Sequence, residues 1–184
     1  MRDKKGYYIN QLSKISIMKR GVWHICYNLF FKPFPTFIFR KWRLFVLKMF
    51  GASIAKDANV YSSARIQSPW NLTMKSNSCI GPHVIIENDA MVTICENATI
   101  SQYAYLCTSS HDIYHYSHNL IYSPISIGMN AWVAAGAFIG KGVTIGKGAV
   151  VGAMAVVVKD VDSMNVVGGN PARFVKLRKI IWDE

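Results

Sequence analysis

Three of the five histidines stand close together, at His111, His115 and His118. An imidazole titrates near neutral pH, so a histidine held against a hydroxyl can take its proton as the oxygen attacks. The same side chain in a polar loop is equally at home as a solvated residue. Together with His83, these histidines would also suffice as ligands for one divalent metal, provided three of them converge. The four cysteines, Cys26, Cys79, Cys95 and Cys107, show no C-x-x-C spacing, which argues against a zinc ribbon or a redox pair. No nucleophile and base are spaced in a way that suggests a covalent intermediate. Lys159, Arg173 and Lys176 fall towards the C-terminal end, and cations of this kind suit phosphate groups.

A six-residue period must position these groups. Ile127, Val133, Ile139, Ile145, Val151 and Val157 follow one another six apart without a gap. The residue after the aliphatic is small at Gly128, Ala134, Gly140, Gly146 and Gly152. The residue four after it is small or slim at Ala131, Ala137, Val143, Ala149 and Ala155. Neither the helical period nor the strand period gives this pattern. One inward aliphatic per six-residue rung is the mark of a parallel β-helix, with three rungs to a coil and coils stacked about 4.8 Å apart. The period recurs earlier in shifted phases: Ile54, Val60, Ile66, Leu72; then Ile80, Ile86, Val92; then Ile94, Ile100, Leu106. Each shift predicts an insertion or bulge at a corner. The break from Leu106 to Ile127 predicts a loop over 107–124 that leaves the coil and carries the three histidines, and such loops tend to hold function.

Charge is as unevenly placed as the repeat. Residues 1–50 hold 11 basic residues and one acid, while residues 51–184 hold 10 basic and 9 acidic. The first 50 residues also hold 12 of the 23 aromatics. At 51% hydrophobic and 17% charged, the chain has the composition of a folded domain rather than a disordered one. The apolar run 21–31 is cut by Lys32, Pro33 and Pro35, too short for a membrane span of about 20 residues. No Sec-type signal is evident, which favours a cytoplasmic setting and free thiols. Ile15, Met18, Val22, Ile25, Cys26 and Leu29 recur at helical spacing, as do Phe39, Trp42, Phe45, Val46 and Met49 among Arg40, Lys41, Arg43 and Lys48. Two readings stay open: a helical cap on the body with solvated cations, and a cap that also lies peripherally on a membrane. A pI of 9.6 raises nucleic acid as a partner, but no recognition motif is present and none is expected. The predicted organisation is a basic cap over 1–50, a β-helix over 51–170 and a C-terminal tail over 171–184.

Three segments then carry a resemblance: Ser68-Pro-Trp-Asn-Leu-Thr73, Ile100-Ser-Gln-Tyr-Ala-Tyr-Leu-Cys-Thr-Ser-Ser-His-Asp112, and Val167-Gly-Gly-Asn-Pro-Ala-Arg-Phe174. With the hexapeptide run, they make the chain resemble the hexapeptide-repeat acyltransferases. Within these it is similar to the maltose and galactoside O-acetyltransferases, and most of all to the colanic acid biosynthesis subgroup. Phe31-Lys-Pro-Phe-Pro35 and Phe50-Gly-Ala-Ser-Ile54 fit the same subgroup. The resemblance implies an all-β fold, a left-handed parallel β-helix with a short N-terminal helical segment and a basic C-terminal tail, assembled as a homotrimer. It implies acetyl-CoA as cosubstrate, no metal, and direct acetyl transfer to a sugar hydroxyl in exopolysaccharide, capsule or O-antigen synthesis. His111 would be the general base.

Trp132, Ala135, Ala153, Lys159 and Lys176 match CoA-contacting positions, and Arg173 joins them as a phosphate partner. Glu87 and Asn88 fall near the acceptor region, for a saccharide that is free or lipid-linked. Asp112 is read as capping a turn. Gly81 stands where the galactoside enzymes use an Asn, which leaves the acceptor open. Three other readings remain beside this one. The first is transfer to another small acceptor, such as serine or a xenobiotic. The second is a metal enzyme of carbonic anhydrase type using His83, His111, His115 and His118. The third is a non-catalytic β-helix.

Overall fold

The computed structural model describes residues 12–179. The first part of the expected cap, 1–11, and the tip of the expected tail, 180–184, lie outside the described residues. From Ser53 onward the chain lays short strands in turn on three faces. The first face stacks Ser53–Ile54, Leu72–Met74, Val92–Ile94, Ile125–Ile127 and Thr144–Ile145, all parallel. The second runs from Asn59–Val60 through Cys79–Ile80, Thr99–Ile100, Trp132–Val133 and Val150–Val151 to Asn165–Gly168. The third stacks Arg65–Ile66, Ile85–Glu87, Tyr105–Cys107, Phe138–Ile139 and Val156–Val157. This is a parallel β-solenoid.

Register explains why the six-residue period works. Ile54, Met74, Ile94, Ile127 and Ile145 face one another in one column. Val60, Ile80, Ile100, Val133, Val151 and Val167 form a second. Ile66, Ile86, Leu106, Ile139 and Val157 form a third. All are buried, and each such side chain contributes about 1.5–3 kcal/mol on leaving water. The rung turns two side chains inward rather than one, because Ala131, Ala137, Val143, Ala149 and Ala155 are buried as well. Gly146 shows how closely the coils approach: a Cβ there would lie 2.4 Å from the Ser163 backbone nitrogen.

The front half corrects the expected phase. Met74 and Ile94, not Leu72 and Val92, continue the first column. The corners before them are longer, and the first contains the 3₁₀ turn Pro69–Asn71. Leu72 and Val92 are buried too, at the starts of their strands, so the extra residues leave the apolar pattern looking unbroken.

Backbone hydrogen bonds join neighbouring coils in both directions: the N–H of Tyr61 donates forward to Ile80 O, and that of Tyr103 donates back to Pro82 O. The first coil has no earlier coil beside it, so the carbonyls on its outer edge need other donors. The cap supplies them. Helix α1, Lys14–Cys26, runs on through the π-helical turn Tyr27–Phe31, and helix α2 is Arg40–Met49. Trp23 donates its indole N–H to Ile66 O at 2.6 Å, and Arg40 donates to Lys56 O and Ala58 O, each at 3.0 Å. Arg43 is fully buried. Its guanidinium donates to Val60 O at 2.9 Å, Pro35 O at 2.8 Å and Thr36 O at 2.8 Å. Desolvation holds its pKa below the usual arginine value. Part of the front-end charge is therefore structural rather than solvated.

Helix α1 docks through Trp23, Tyr27 and Phe31, with Phe50 packed against Trp23 at 5.0 Å between ring centroids. Its stripe Ile15, Met18, Val22, Ile25 and Leu29 points the other way and is 51–64% exposed. On α2, Leu44, Val46 and Leu47 are buried while Phe45 and Met49 are exposed. Among the described residues no helix is long and apolar enough to cross a membrane. At the far end, Arg173–Leu177 turns back antiparallel on Asn165–Gly168. The expected tail thus begins as an exposed strand of the second face.

Candidate functional site

The 107–124 segment is a β-hairpin rather than an irregular loop. Ser109–His111 pairs antiparallel with Leu120–Tyr122, placing His111 opposite Leu120. Thr108 pins its foot. Thr108 N donates to Glu87 O at 2.9 Å, its hydroxyl donates to the same carbonyl at 3.1 Å, and its own carbonyl accepts from Ser123 N at 2.9 Å. At the tip, Asp112 Oδ1 accepts the Tyr114 N–H at 2.9 Å, the turn-capping role expected for it.

His111 is exposed, and its Nδ1 lies 2.8 Å from the carbonyl oxygen of His118. A carbonyl can only accept, so Nδ1 carries the hydrogen and Nε2 keeps its lone pair. That tautomer is the one a general base needs. His118 occupies the left-handed region, φ 46°, and donates its N–H to His115 O at 2.8 Å. Its backbone, not its imidazole, serves the site. No spacing rule in the sequence points to that carbonyl.

Glu87 stands at the hairpin foot, opposite Cys107 in the strand register. Its carboxylate accepts from the Tyr105 hydroxyl at 2.5 Å and lies 3.8 Å from Cys107 Sγ. Burial, and then the Glu87 carboxylate, push the Tyr105 phenol well above its ordinary range, so it stays a donor. Asn88 is withdrawn from the acceptor set by its burial. It is fully buried; its Oδ1 accepts from Ser68 N at 2.9 Å, and its amide donates to Ser68 O at 2.7 Å and Asn71 O at 3.0 Å. It clasps the corner of the neighbouring coil. Gly81 has no room for any side chain, since a Cβ would lie 2.8 Å from Ile100 O.

The residues expected around CoA divide between two edges. Ala135 and Ala153 sit at successive corners after the second face, stacked by a 2.9 Å bond from Met154 N to Ala135 O. Trp132 is exposed on the second face, its indole tied to Ser101 Oγ at 2.8 Å. Arg173 and Lys176 extend that face on the last strand and are exposed. Lys159 lies just past the strand Val156–Val157 on the third face. That is the edge from which the His111 hairpin also leaves, after Tyr105–Cys107. The chain therefore carries His111 and Lys159 on one edge and Ala135 and Ala153 on another.

Among the described residues no three His, Cys, Asp or Glu side chains come together as a metal-binding group. His83 stacks on Tyr103 at 5.0 Å, and His115 bonds Ser117 Oγ at 2.6 Å. Burial pushes the Cys79 and Cys95 thiols up, which makes both poor nucleophiles.

Two cavities flank the hairpin side of the molecule. One of about 900 Å³ lies between α1 and the third face; another of about 650 Å³ lies between the start of α1, the Trp70–Asn71 corner and Leu120 with Tyr122 of the hairpin. Arg20, paired with Asp89, lines both. Sequence reasoning missed this pair, because nothing in the spacing links positions so far apart.

Residues 124–159 match the family described as bacterial transferase hexapeptide (six repeats). A protein of Escherichia coli strain K12, named as the colanic acid biosynthesis acetyltransferase WcaF, is 37% identical over 179 residues, covering 97% of this chain and 98% of its own. A maltose O-acetyltransferase from Clostridium difficile 630 superposes with a TM-score of 0.80 at 25% identity, over 91% of this chain and 90% of that one. A hexapeptide-repeat acetyltransferase from Vibrio cholerae, solved with acetyl coenzyme A, superposes with a TM-score of 0.76 at 23% identity, over 96% of each chain. The chain belongs to the hexapeptide-repeat acetyltransferases.

Proposed function

We propose that this acetyltransferase moves the acetyl group of acetyl-CoA directly onto a saccharide hydroxyl in the synthesis of a surface polysaccharide. The observation that carries this reading is the 2.8 Å contact from His111 Nδ1 to His118 O. It leaves Nε2 free to take the hydroxyl proton. The acceptor oxygen forms a bond to the thioester carbonyl carbon, the carbon–sulfur bond breaks, and the proton held on His111 passes to the departing CoA thiolate. Glu87, fixed by Tyr105 at the hairpin foot, would accept a hydrogen bond from the acceptor sugar. Trp132, Ala135 and Ala153 would lie along the CoA arm, with Lys159, Arg173 and Lys176 at its phosphates.

The two-edge arrangement supports a homotrimer, in which the His111 and Lys159 edge of one protomer faces the Ala135 and Ala153 edge of the next. The outward stripe of α1 supports peripheral membrane contact. Between residues 12 and 50 the sequence has eight Lys and Arg and no acid. Lys14, Lys19, Lys32, Lys41 and Lys48 of that stretch are exposed. An apolar face on a segment rich in exposed cations suits an anionic bilayer. Sedimentation with anionic vesicles tests this. Replacing Val22 and Ile25 by Asp should abolish binding in a folded protein, and unchanged binding would remove the membrane role.

Free thiol released from acetyl-CoA tests the reaction. Saccharides, free or carrier-linked, should raise release above background hydrolysis. Release with serine or another small amine or alcohol, and with no saccharide, would give the function to a different acceptor.

A further inference from the structure

Five polar side chains are buried among the described residues, and three of them stand in one line. Ser68, Asn88 and Thr108 each follow the third column by two residues, after Ile66, Ile86 and Leu106 in successive coils. The same step from Ile139 and Val157 reaches Lys141 and Lys159, which are exposed. Later coils therefore close without a buried polar group at this position. Burying one costs free energy unless its bonds are met. The line ends at the coil from which the His111 hairpin leaves.

Thr108 is the single residue between the strand Tyr105–Cys107 and the hairpin strand Ser109–His111. Its hydroxyl donates to Glu87 O and accepts the Ala90 N–H, each at 3.1 Å. It thus closes the corner 87–90 from both ends. Its N–H donates to the same Glu87 carbonyl, and its own carbonyl accepts from Ser123, where the hairpin returns. On the far side of the corner, the Asn71 amide donates to Asn88 O at 3.0 Å and Asp89 O at 2.9 Å. The corner that carries Glu87 is held from two coils, and the hairpin springs from one of those holds. His111 lies three positions after Thr108 on a paired strand, so a tilt at the foot is carried to the imidazole. A valine would fill much the same space, but it could neither donate to Glu87 nor accept from Ala90.

We propose that Thr108 is a positioning residue for acetyl transfer, its hydroxyl locking the Glu87 corner and the His111 hairpin into one geometry. Its hydrogen bonds go to backbone atoms and to the hairpin's own return, so it acts through the chain that carries the base and the carboxylate. The proposal rests on the O-acetyltransferase reading above and names what holds its two groups in register.

The full-length protein with acetyl-CoA and p-nitrophenyl galactoside as probes tests the role in the reaction. Thr108→Val should lower the turnover number about 10–100-fold while the KM for acetyl-CoA stays within about twofold. Thr108→Ser keeps the hydroxyl and should restore most of the turnover. Ile145→Val, a core truncation in the last coil of the first face, should lose stability but not turnover. Thr108→Ala takes the place of Thr108→Val if the latter does not fold. Amide exchange read by NMR tests the geometry without a substrate. In Thr108→Val the amides of Ala90, Asp112 and Ser123 should exchange faster, and that of Ser101, bonded to Val133 in the next coil, should not. Unchanged exchange at the hairpin, wild-type turnover in Thr108→Val, or no rescue by serine overturns the proposal while leaving the reading of the reaction intact. If the hairpin loosens as expected but wild type shows no His111-dependent transfer, the reading of the reaction falls and takes the positioning role with it.

Discussion

His111 can act as a base because of what holds its other nitrogen. A backbone carbonyl sets its tautomer, so no acidic partner is needed and none was legible in the sequence. The neighbouring Tyr105–Glu87 pair works by the opposite logic, since a buried phenol beside a carboxylate resists ionising. Its pKa is raised, so the neutral donor form persists as pH rises through the ordinary phenol range. Spectrophotometric titration should therefore show that Tyr105→Phe removes almost none of the tyrosinate absorbance gained between roughly pH 9 and 11. Loss of one full tyrosine's worth would contradict the pairing. Asn88 teaches the limit of reading ligands from position. Its place near the family's acceptor region suggested a sugar contact, yet its side-chain hydrogen bonds all go to the backbone of the adjoining corner. Asn88→Ala should lower unfolding stability by about 2–4 kcal/mol, measured in urea.

At the scale of elements, the columns were legible because their spacing is regular and their side chains point into a dry core. The shifts before Met74 and Ile94 were not, because Leu72 and Val92 are themselves buried aliphatics six residues on. Helix α1 was legible as a helix, but not its orientation. It carries an aliphatic stripe and an aromatic one, and it docks by Trp23, Tyr27 and Phe31. Helical spacing cannot say which stripe meets a partner. The open end of the first coil decides, because its unpaired carbonyls want donors, and Trp23 brings one to Ile66 O. Arg43 brings more. Arg43→Ala would strip donors from Val60, Pro35 and Thr36 and open a cavity, so it should cost about 3–5 kcal/mol. A variant within 1 kcal/mol of wild type, by the rough size of an ordinary surface change, would mean that the cap is not anchored there.

The whole molecule reads as a stack of coils closed by a basic cap, with the proposed site residues spread over two edges. If those edges meet between protomers, inactive chains should rescue each other. His111→Ala and Ala153→Trp chains, refolded together in equal amounts, should recover about a quarter of wild-type sites by random assembly, read as acetyl transfer. No recovery in oligomers shown to be mixed would place His111 and Ala153 in one subunit's site. The most direct test of the account is acetyl transfer to a saccharide by wild type and His111→Ala, with CoA affinity measured on the same samples. Loss of a general base should lower the turnover number by about 10²–10⁴-fold with CoA affinity unchanged. A His111→Ala enzyme that turns over at the wild-type rate would contradict the account.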